Sequence, residues 1–293
     1  MSGKDTTKEL AALIHLLDEP DEKVYATIRS RILALGTRAL PLLEEADSNL
    51  FSQKEAARME ELINTIRVQD VYEKLKNWSE HQSHDLLEPW LLISGFHLPE
   101  EDNEKMRASV EKLYRDVWVE MNNKLTALEK IRVVNHVFYN VYQFDALQGN
   151  KPVLPPYLLG NVIRMQRGNP LSMAMLYLIV VQRLGIPVFG VNLPKHLILA
   201  YMNGNTLPKP LSVYREEDVL FYINPFNKGA IFRKSEVELY LKQLNIKPQE
   251  KFFLPVENKV IIQRLLQELT MLHRKNHHPD KAESIQYLLK AIV

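Results

Sequence analysis

The chain has 293 residues, of which 46% are hydrophobic and 25% charged, so it is expected to be globular with a sizeable core. Its net charge of +1 and its scattered basic residues give no electrostatic reason to expect a nucleic acid or an anionic membrane as partner. It contains no cysteine, which excludes disulfides, thiolate metal sites and a cysteine nucleophile.

The first 78 residues show apolar positions at spacings of three and four, which predict helices. Gly36 is expected to close the second helix and Pro41 to open the third, while a longer helix is expected from Lys54 to Trp78. This segment is similar to a HEAT repeat, a helical module used for packing or for contact with a partner protein.

No segment is apolar enough to cross a membrane. The longest apolar run, at about 174–181, is far shorter than the roughly 20 residues that a spanning helix needs. The first 17 residues mix charged with apolar side chains and therefore do not resemble a signal peptide. We expect a cytoplasmic protein.

Three further helices are predicted before a proline-rich loop at 149–157. The first is a buried helix that begins near Leu86 and is expected to be ended by Gly95 and Pro99. The other two run from about Glu104 to Met121 and from about Ala127 to Tyr142.

The pattern changes at Asn169, a natural helix N-cap, and Pro170, the favoured first helical residue. The helix that starts there is apolar on nearly all sides and should be buried. Short β-type runs follow, with a turn expected at 203–205. The predicted strands are Val188–Leu193, Leu197–Met202 and Val219–Ile223.

The C-terminal part is expected to be helical again. Ser235 and Glu238 have the spacing of a capping box, which predicts a helix start. Val260 to Asn276 and Asp280 to Ile292 are predicted to form an antiparallel helical hairpin, because each carries an apolar stripe that needs a cover.

A buried helix followed by a small antiparallel sheet is the layout of papain-like and transglutaminase-like cores. Four ordered blocks carry a closer resemblance, to the SirB-type transglutaminase-like family. They are Arg167–Ser172, Arg183–Pro187, Gly190–His196 and Ile223–Asn227. The resemblance implies a mainly helical α+β fold in which the core is flanked by helical hairpins. The implied domains are a HEAT-like segment at 1–78, the core at 79–235 and a TPR-like hairpin at 236–293.

The same resemblance implies that Ser172, His196 and Asn224 occupy the positions of a catalytic triad. Serine stands at the thiol position of the superfamily, and asparagine at a position that is commonly aspartate. A serine hydroxyl needs a poised base, and neutral Asn224 could orient His196 without stabilising an imidazolium. From the residues alone, Ser172 could instead cap its helix, His196 could be a hydrogen-bonded rim residue and Asn224 could form a turn.

These considerations predict a non-catalytic binding or scaffold module. The alternative is a serine-dependent hydrolase or acyl transferase that uses Ser172 and His196. A third reading is an adaptor whose helical flanks bind another protein and whose core cleft is vestigial. The oligomeric state is left open by the sequence.

Two further kinds of site were considered. Arg167, Gly168 and Asn169 could frame a ligand or anion site at a helix start, or could be a solvated arginine beside a turn. His273 and His277 lie one helical turn apart, but no carboxylate or cysteine completes a metal site at a fixed spacing. We therefore expect no metal and no cofactor.

Overall fold

The computed structural model describes residues 3–46, 52–147, 149, 153–203 and 211–292. The chain divides into two compact units, Met1–Lys74 and Leu75–Val293. Residues 236–292, expected above to form a separate C-terminal part, lie within the second unit. The division into three domains stays a prediction.

In the described residues of the first unit, all regular secondary structure is helical. Its helices are α1 (Gly3–Ile14), α2 (Glu22–Leu35), α3 (Leu40–Glu45) and the first part of α4 (Gln53–His81). Asp21 caps α2, and Gly36 ends that helix with a left-handed φ of 58°, as predicted. Buried Arg58 on α4 donates to the carbonyl oxygens of Leu17 and Glu19, each at 2.8 Å. This guanidinium therefore ties the α1–α2 connection to α4.

The second unit surrounds α9 (Pro170–Arg183), whose residues 171–181 are all buried. The remaining α-helices are α5 (Leu87–His97), α6 (Asn103–Glu120), α7 (Ala127–Asn135), α8 (Leu159–Met165), α10 (Lys234–Gln243), α11 (Asn258–Lys275) and α12 (Pro279–Leu289). Within the described ranges, no helix combines the length and the apolar character that a membrane crossing needs.

In the part of the chain that the structure describes, the first two strands form a separate parallel pair. The next four strands form the antiparallel main sheet, in which they neighbour one another in chain order. The strands are β1 (Asp145–Ala146), β2 (Arg167–Gly168), β3 (Val188–Leu193), β4 (His196–Met202), β5 (Val219–Asn224) and β6 (Ala230–Phe232). Helix α9 packs against β3 and β4. The predicted mainly helical α+β fold, with a buried helix on a small antiparallel sheet, is confirmed.

Several boundaries differ from those predicted. Gly95 lies inside α5, where burial of the helix outweighs the roughly 1 kcal/mol that glycine costs there. The helix predicted to reach Tyr142 changes at His136 into a π-helix that ends at Val141. Helix α10 begins at Lys234, so Ser235 is inside it, and its first turn is closed by Glu236 accepting from the N–H of Arg233. The predicted capping box was therefore wrong.

Other elements were not predicted or cannot be compared in full. Helix α8, the β1–β2 pair and β6 are short and carry too few residues for a periodic pattern. Most of the turn predicted at 203–205, and positions 150–152 of the predicted loop, lie outside the described residues. The end of that loop, Pro155–Tyr157, forms a 3₁₀ turn.

The C-terminal hairpin is confirmed. Gln263 near the start of α11 donates to the carbonyl of Ile292, and Arg274 near its end donates to Gln286, a pairing that requires antiparallel helices. Helix α11 also lies close to the sheet, since a Cβ on Gly190 would come within 2.7 Å of Ile261 Cδ1. This close approach brings α11 next to the β3–β4 turn.

Candidate functional site

Ser172 lies in the first turn of α9, as predicted, and it is completely buried. Its Oγ accepts from the N–H of Asn169 at 3.0 Å and donates to the carbonyl of Asn169 at 3.3 Å. The Asn169 side chain accepts in turn from the N–H of Ser172 at 2.8 Å. This reciprocal arrangement caps α9 and engages the hydroxyl as both donor and acceptor.

The segment before α9 packs directly over that hydroxyl. A Cβ on Gly168 would lie 2.5 Å from Ser172 Oγ, so only glycine leaves room for it. Strand pairing of Ala146 with Gly168 holds this segment in place. Arg167 is exposed, whereas the buried Asn169 Nδ2 has no hydrogen-bond partner among the described residues. The three residues therefore lie together at the helix start, and their role in binding a ligand or anion stays a prediction.

His196 is the first residue of β4 and is only partly buried. Its ring lies 5.5 Å from that of Tyr240, in an edge-to-face arrangement, and 6.5 Å from that of Phe226. Burial lowers the pKa of His196; positive Arg264 lowers it further and negative Glu268 opposes this. The imidazole is therefore mainly neutral at pH 7.

The β3–β4 turn that carries His196 is held by side chains from two helices. Arg264 Nη1 on α11 donates to Asn192 Oδ1 at 2.7 Å and to the carbonyls of Leu193 at 2.8 Å and His196 at 3.0 Å. The hydroxyl of Tyr240 on α10 donates to the carbonyl of Pro194 at 2.9 Å. Sequence reasoning missed these residues, because a single arginine in an amphipathic helix does not reveal which turn it contacts.

Asn224 ends β5, the strand next to β4, and its side chain is occupied. Its Oδ1 accepts from the N–H groups of Phe226 at 3.1 Å and Asn227 at 3.3 Å, which is the local turn that the residue type favours. This turn contacts α9. The structure therefore places Ser172, His196 and Asn224 on adjoining elements, while no hydrogen bond joins any two of these side chains in the described part of the chain.

A buried polar network fixes the β5–β6 turn. The hydroxyl of Tyr177 on α9 donates to Asn135 Oδ1 at 2.8 Å, and Asn135 Nδ2 donates to the carbonyl of Gly229 at 3.0 Å. Tyr139 on the π-helix donates to the carbonyl of Pro225 at 2.8 Å. Burial raises the pKa of both tyrosines, so they remain protonated donors.

Outside this region, partly buried His97 pairs with buried His273. Their Nε2 atoms are 3.1 Å apart, and His97 Nδ1 lies 2.9 Å from the carbonyl of Ile93, to which it must donate. His97 Nε2 then accepts from His273. Burial is the main cause that lowers the pKa of His97, to about 4. Among the residues that the structure describes, no group of three or more histidine, aspartate or glutamate residues is placed to hold a metal ion.

The chain is similar to one protein family and to several individual proteins. A family model described as the transglutaminase-like superfamily matches residues 104–267. A UPF0162 protein of Buchnera aphidicola is 25% identical over 167 residues, which are 56% of this chain and 57% of that protein. A UPF0162 protein of Pseudomonas aeruginosa is 27% identical over 204 residues, covering 66% of this chain and 67% of that protein.

A third match covers a smaller share of a longer protein. F-box only protein 21 of Mus musculus is 26% identical over 142 residues, which are 48% of this chain and 21% of that protein. The chain thus spans a little over half of the first UPF0162 protein and about a fifth of the F-box protein. No solved structure matches the chain. The superfamily match includes α9, the whole four-stranded sheet and most of α11, and it extends over more than half of the sequence, so this chain belongs to the transglutaminase-like superfamily.

Proposed function

We propose that the chain is a non-catalytic member of the superfamily, of the SirB type, that acts as a binding or scaffold module. The observation that carries this proposal is the state of Ser172. Its hydroxyl has no exposed surface, and both of its hydrogen bonds go to Asn169. A nucleophile has to reach its substrate and lose its proton to a nearby base, and this hydroxyl does neither in the arrangement described.

The other two triad-equivalent residues support the same proposal. Asn224 uses its side-chain oxygen to cap the turn that follows it, so it is not free to orient His196. The ring of His196 forms no hydrogen bond with any described residue and lies at the rim of the sheet beside two aromatic rings. In a binding module, this neutral imidazole would contact a ligand or a partner protein.

The relatives are consistent with a module. A segment similar to half of this chain forms only about a fifth of F-box only protein 21, so the core also occurs as one part of a much longer protein. We propose that the partner is another protein, bound through the helical flanks. We also propose a cytoplasmic location, because the absence of cysteine is compatible with a reducing compartment.

A turnover assay tests the proposal. Purified full-length protein is incubated with activated esters, with amides and with a glutamine-peptide and primary-amine pair, in parallel with Ser172→Ala. We expect wild type and variant to give the same rate as buffer. Hydrolysis or transfer by wild type that Ser172→Ala abolishes, and that His196→Ala also removes, would overturn the proposal in favour of a serine-dependent hydrolase or acyl transferase.

A further inference from the structure

Helix α11 has an unusual relation to the β3–β4 turn. The turn backbone presents three carbonyl groups near one another, those of Leu193, Pro194 and His196, and each accepts a hydrogen bond from a helix side chain. Two of these bonds come from a single nitrogen, Nη1 of Arg264. An arginine beside a turn could have been solvated, but this side chain is only 12% exposed.

The conformation of the turn explains why it needs this support. Lys195 has a φ of 65°, in the left-handed region that a residue with a Cβ adopts at an energetic cost. Pro194 next to it offers no backbone N–H for a hydrogen bond. Contacts with the turn carbonyls from outside the sheet hold this conformation and thereby fix where β4 starts.

We infer that Arg264 is the positioning residue of the His196 site: through Nη1 it fixes the turn that presents the imidazole, and with Glu268 it sets the charge environment of that ring. This inference rests on the proposed role of His196 as a binding residue. The C-terminal hairpin is then a functional part of the core rather than a flank alone.

The charges around the imidazole are arranged as this inference requires. Arg264 Nε donates to Glu268 Oε1 at 2.8 Å, so the two opposite charges lie on one helical face. Arg264 lowers the pKa of His196 and Glu268 raises it, in addition to the effect of burial. Among the described residues, other titratable groups near this site are Tyr240, whose ring lies beside the imidazole, and the adjacent, exposed Lys195. Tyr157 hydrogen-bonds to Glu268 of the ion pair.

The electrostatic part is tested by measuring the pKa of His196 in the full-length protein by NMR of the histidine ring protons. His196→Gln identifies the resonance among the nine histidines. We expect Arg264→Gln to raise this pKa and Glu268→Gln to lower it. Arg274→Gln is the matched control, because Arg274 lies on the same helix, is exposed and bonds to Gln286; it should leave the pKa unchanged.

Because the two expected pKa shifts have opposite signs, they distinguish an effect of charge from a loss of packing around His196. Loss of packing in either variant would expose the ring and raise the pKa in both. Shifts in the same direction, or shifts no larger than that of the control, would overturn the electrostatic assignment. Glu268→Gln keeps Arg264 and its contacts with the turn, so it gives a result even if Arg264→Gln fails to fold.

The positioning part is tested with Arg264→Lys, which keeps the positive charge but cannot reproduce the planar array of donors. We expect faster amide hydrogen exchange at residues 192–197 in this variant, while Arg274→Lys retains the wild-type rates. Unchanged protection of that segment would contradict the role of Arg264 as a positioning residue. Both measurements are independent of turnover, so they can fail while the proposed non-catalytic function stands, and the reverse also holds.

Discussion

The first turn of α9 carries Ser172 and the β3–β4 turn leads into His196, and these two proposed equivalents of a nucleophile and a base differ in their surroundings. Ser172 is completely buried, and its hydroxyl and its backbone N–H are both hydrogen-bonded to Asn169. His196 keeps an accessible ring without a hydrogen-bond partner in the described chain, and external side chains hold its backbone. In the proposed binding module, Ser172 is therefore part of the helix cap, while the ring of His196 is the side chain available for recognition.

The largest expected effect comes from removing the support of the β3–β4 turn. Arg264→Ala leaves the Leu193 and His196 carbonyls without this donor and removes the ion-pair partner of Glu268, which keeps its contact with Tyr157. We expect a loss of about 3 kcal/mol in the free energy of unfolding, measured by urea denaturation. Arg183→Ala, which breaks a more exposed pair with Glu111, serves as control and should cost well under 1 kcal/mol. Equal losses in the two variants would show that the turn does not depend on Arg264.

The support of the β5–β6 turn should be nearly as important. Asn135→Ala leaves the hydroxyl of buried Tyr177 without its acceptor and the Gly229 carbonyl without its donor. Two unsatisfied groups at about 1 kcal/mol or more each predict a loss of roughly 2 to 3 kcal/mol. Asn140→Ala, on the same helical stretch but exposed, should change the stability by less than 0.5 kcal/mol, on the order of an ordinary surface substitution. A smaller loss for Asn135→Ala than for Asn140→Ala would refute the network.

A pH titration compares His196 with His97, whose pKa burial lowers to about 4. Because the folded pKa of His97 is about 4 and the unfolded value about 6.5, the unfolded chain binds more protons between these pH values. The stability from neutral His97 is complete above pH 6.5 and is lost as the pH falls towards 4. Between pH 7 and pH 5 we expect the free energy of unfolding to drop by about 2 kcal/mol from this residue alone.

The variant His97→Gln isolates that contribution. A neutral amide that can still donate to the Ile93 carbonyl removes the titrating group, so the drop between pH 7 and pH 5 should become smaller. His196→Gln should reduce the drop less, because negative Glu268 opposes the lowering of the His196 pKa. An identical pH dependence in wild type and His97→Gln would contradict the assignment of a neutral His97.

The smallest expected change in stability is the difference between substitutions of Ser172 and of His196. Ser172→Ala removes the acceptor of the Asn169 N–H and one half of the capping arrangement, so we expect a loss of about 1 kcal/mol in thermal or urea unfolding. His196→Ala breaks no side-chain hydrogen bond and should cost less. The reverse order would mean that His196, rather than Ser172, is the structural residue of the pair.

The sequence predicted the elements whose signal is local and strong. Asn169 followed by Pro170 indicated the start of α9, and a short β-type run predicted β3 with its observed ends, Val188 and Leu193. Two-residue strands could not be predicted, since they depend on tertiary pairing and not on periodicity. The π-helix could not be predicted because such i→i+5 turns are rare and occur as short stretches inside helices.

The candidate site was predictable in position but not in chemistry. The resemblance to transglutaminase-like cores, together with the order of the helix and the strands, predicted that Ser172, His196 and Asn224 lie on adjoining elements. Whether a serine hydroxyl caps a helix or faces a histidine depends on side-chain directions that spacing does not determine. The contact of Arg264 with His196 spans 68 positions along the chain, and nothing local in either segment signals it.

The accessibility of position 172 tests the central claim most directly. Since the natural chain has no cysteine, Ser172→Cys introduces a single thiol, and Ser235→Cys provides a matched thiol in the exposed first turn of α10. Iodoacetamide labelling at pH 7 should be many times slower at position 172 than at position 235 in the folded protein, and equal at both in urea. Labelling at position 172 that is as fast as at position 235, and that slows when His196→Ala is added, would reveal an accessible nucleophile activated by His196 and contradict the account.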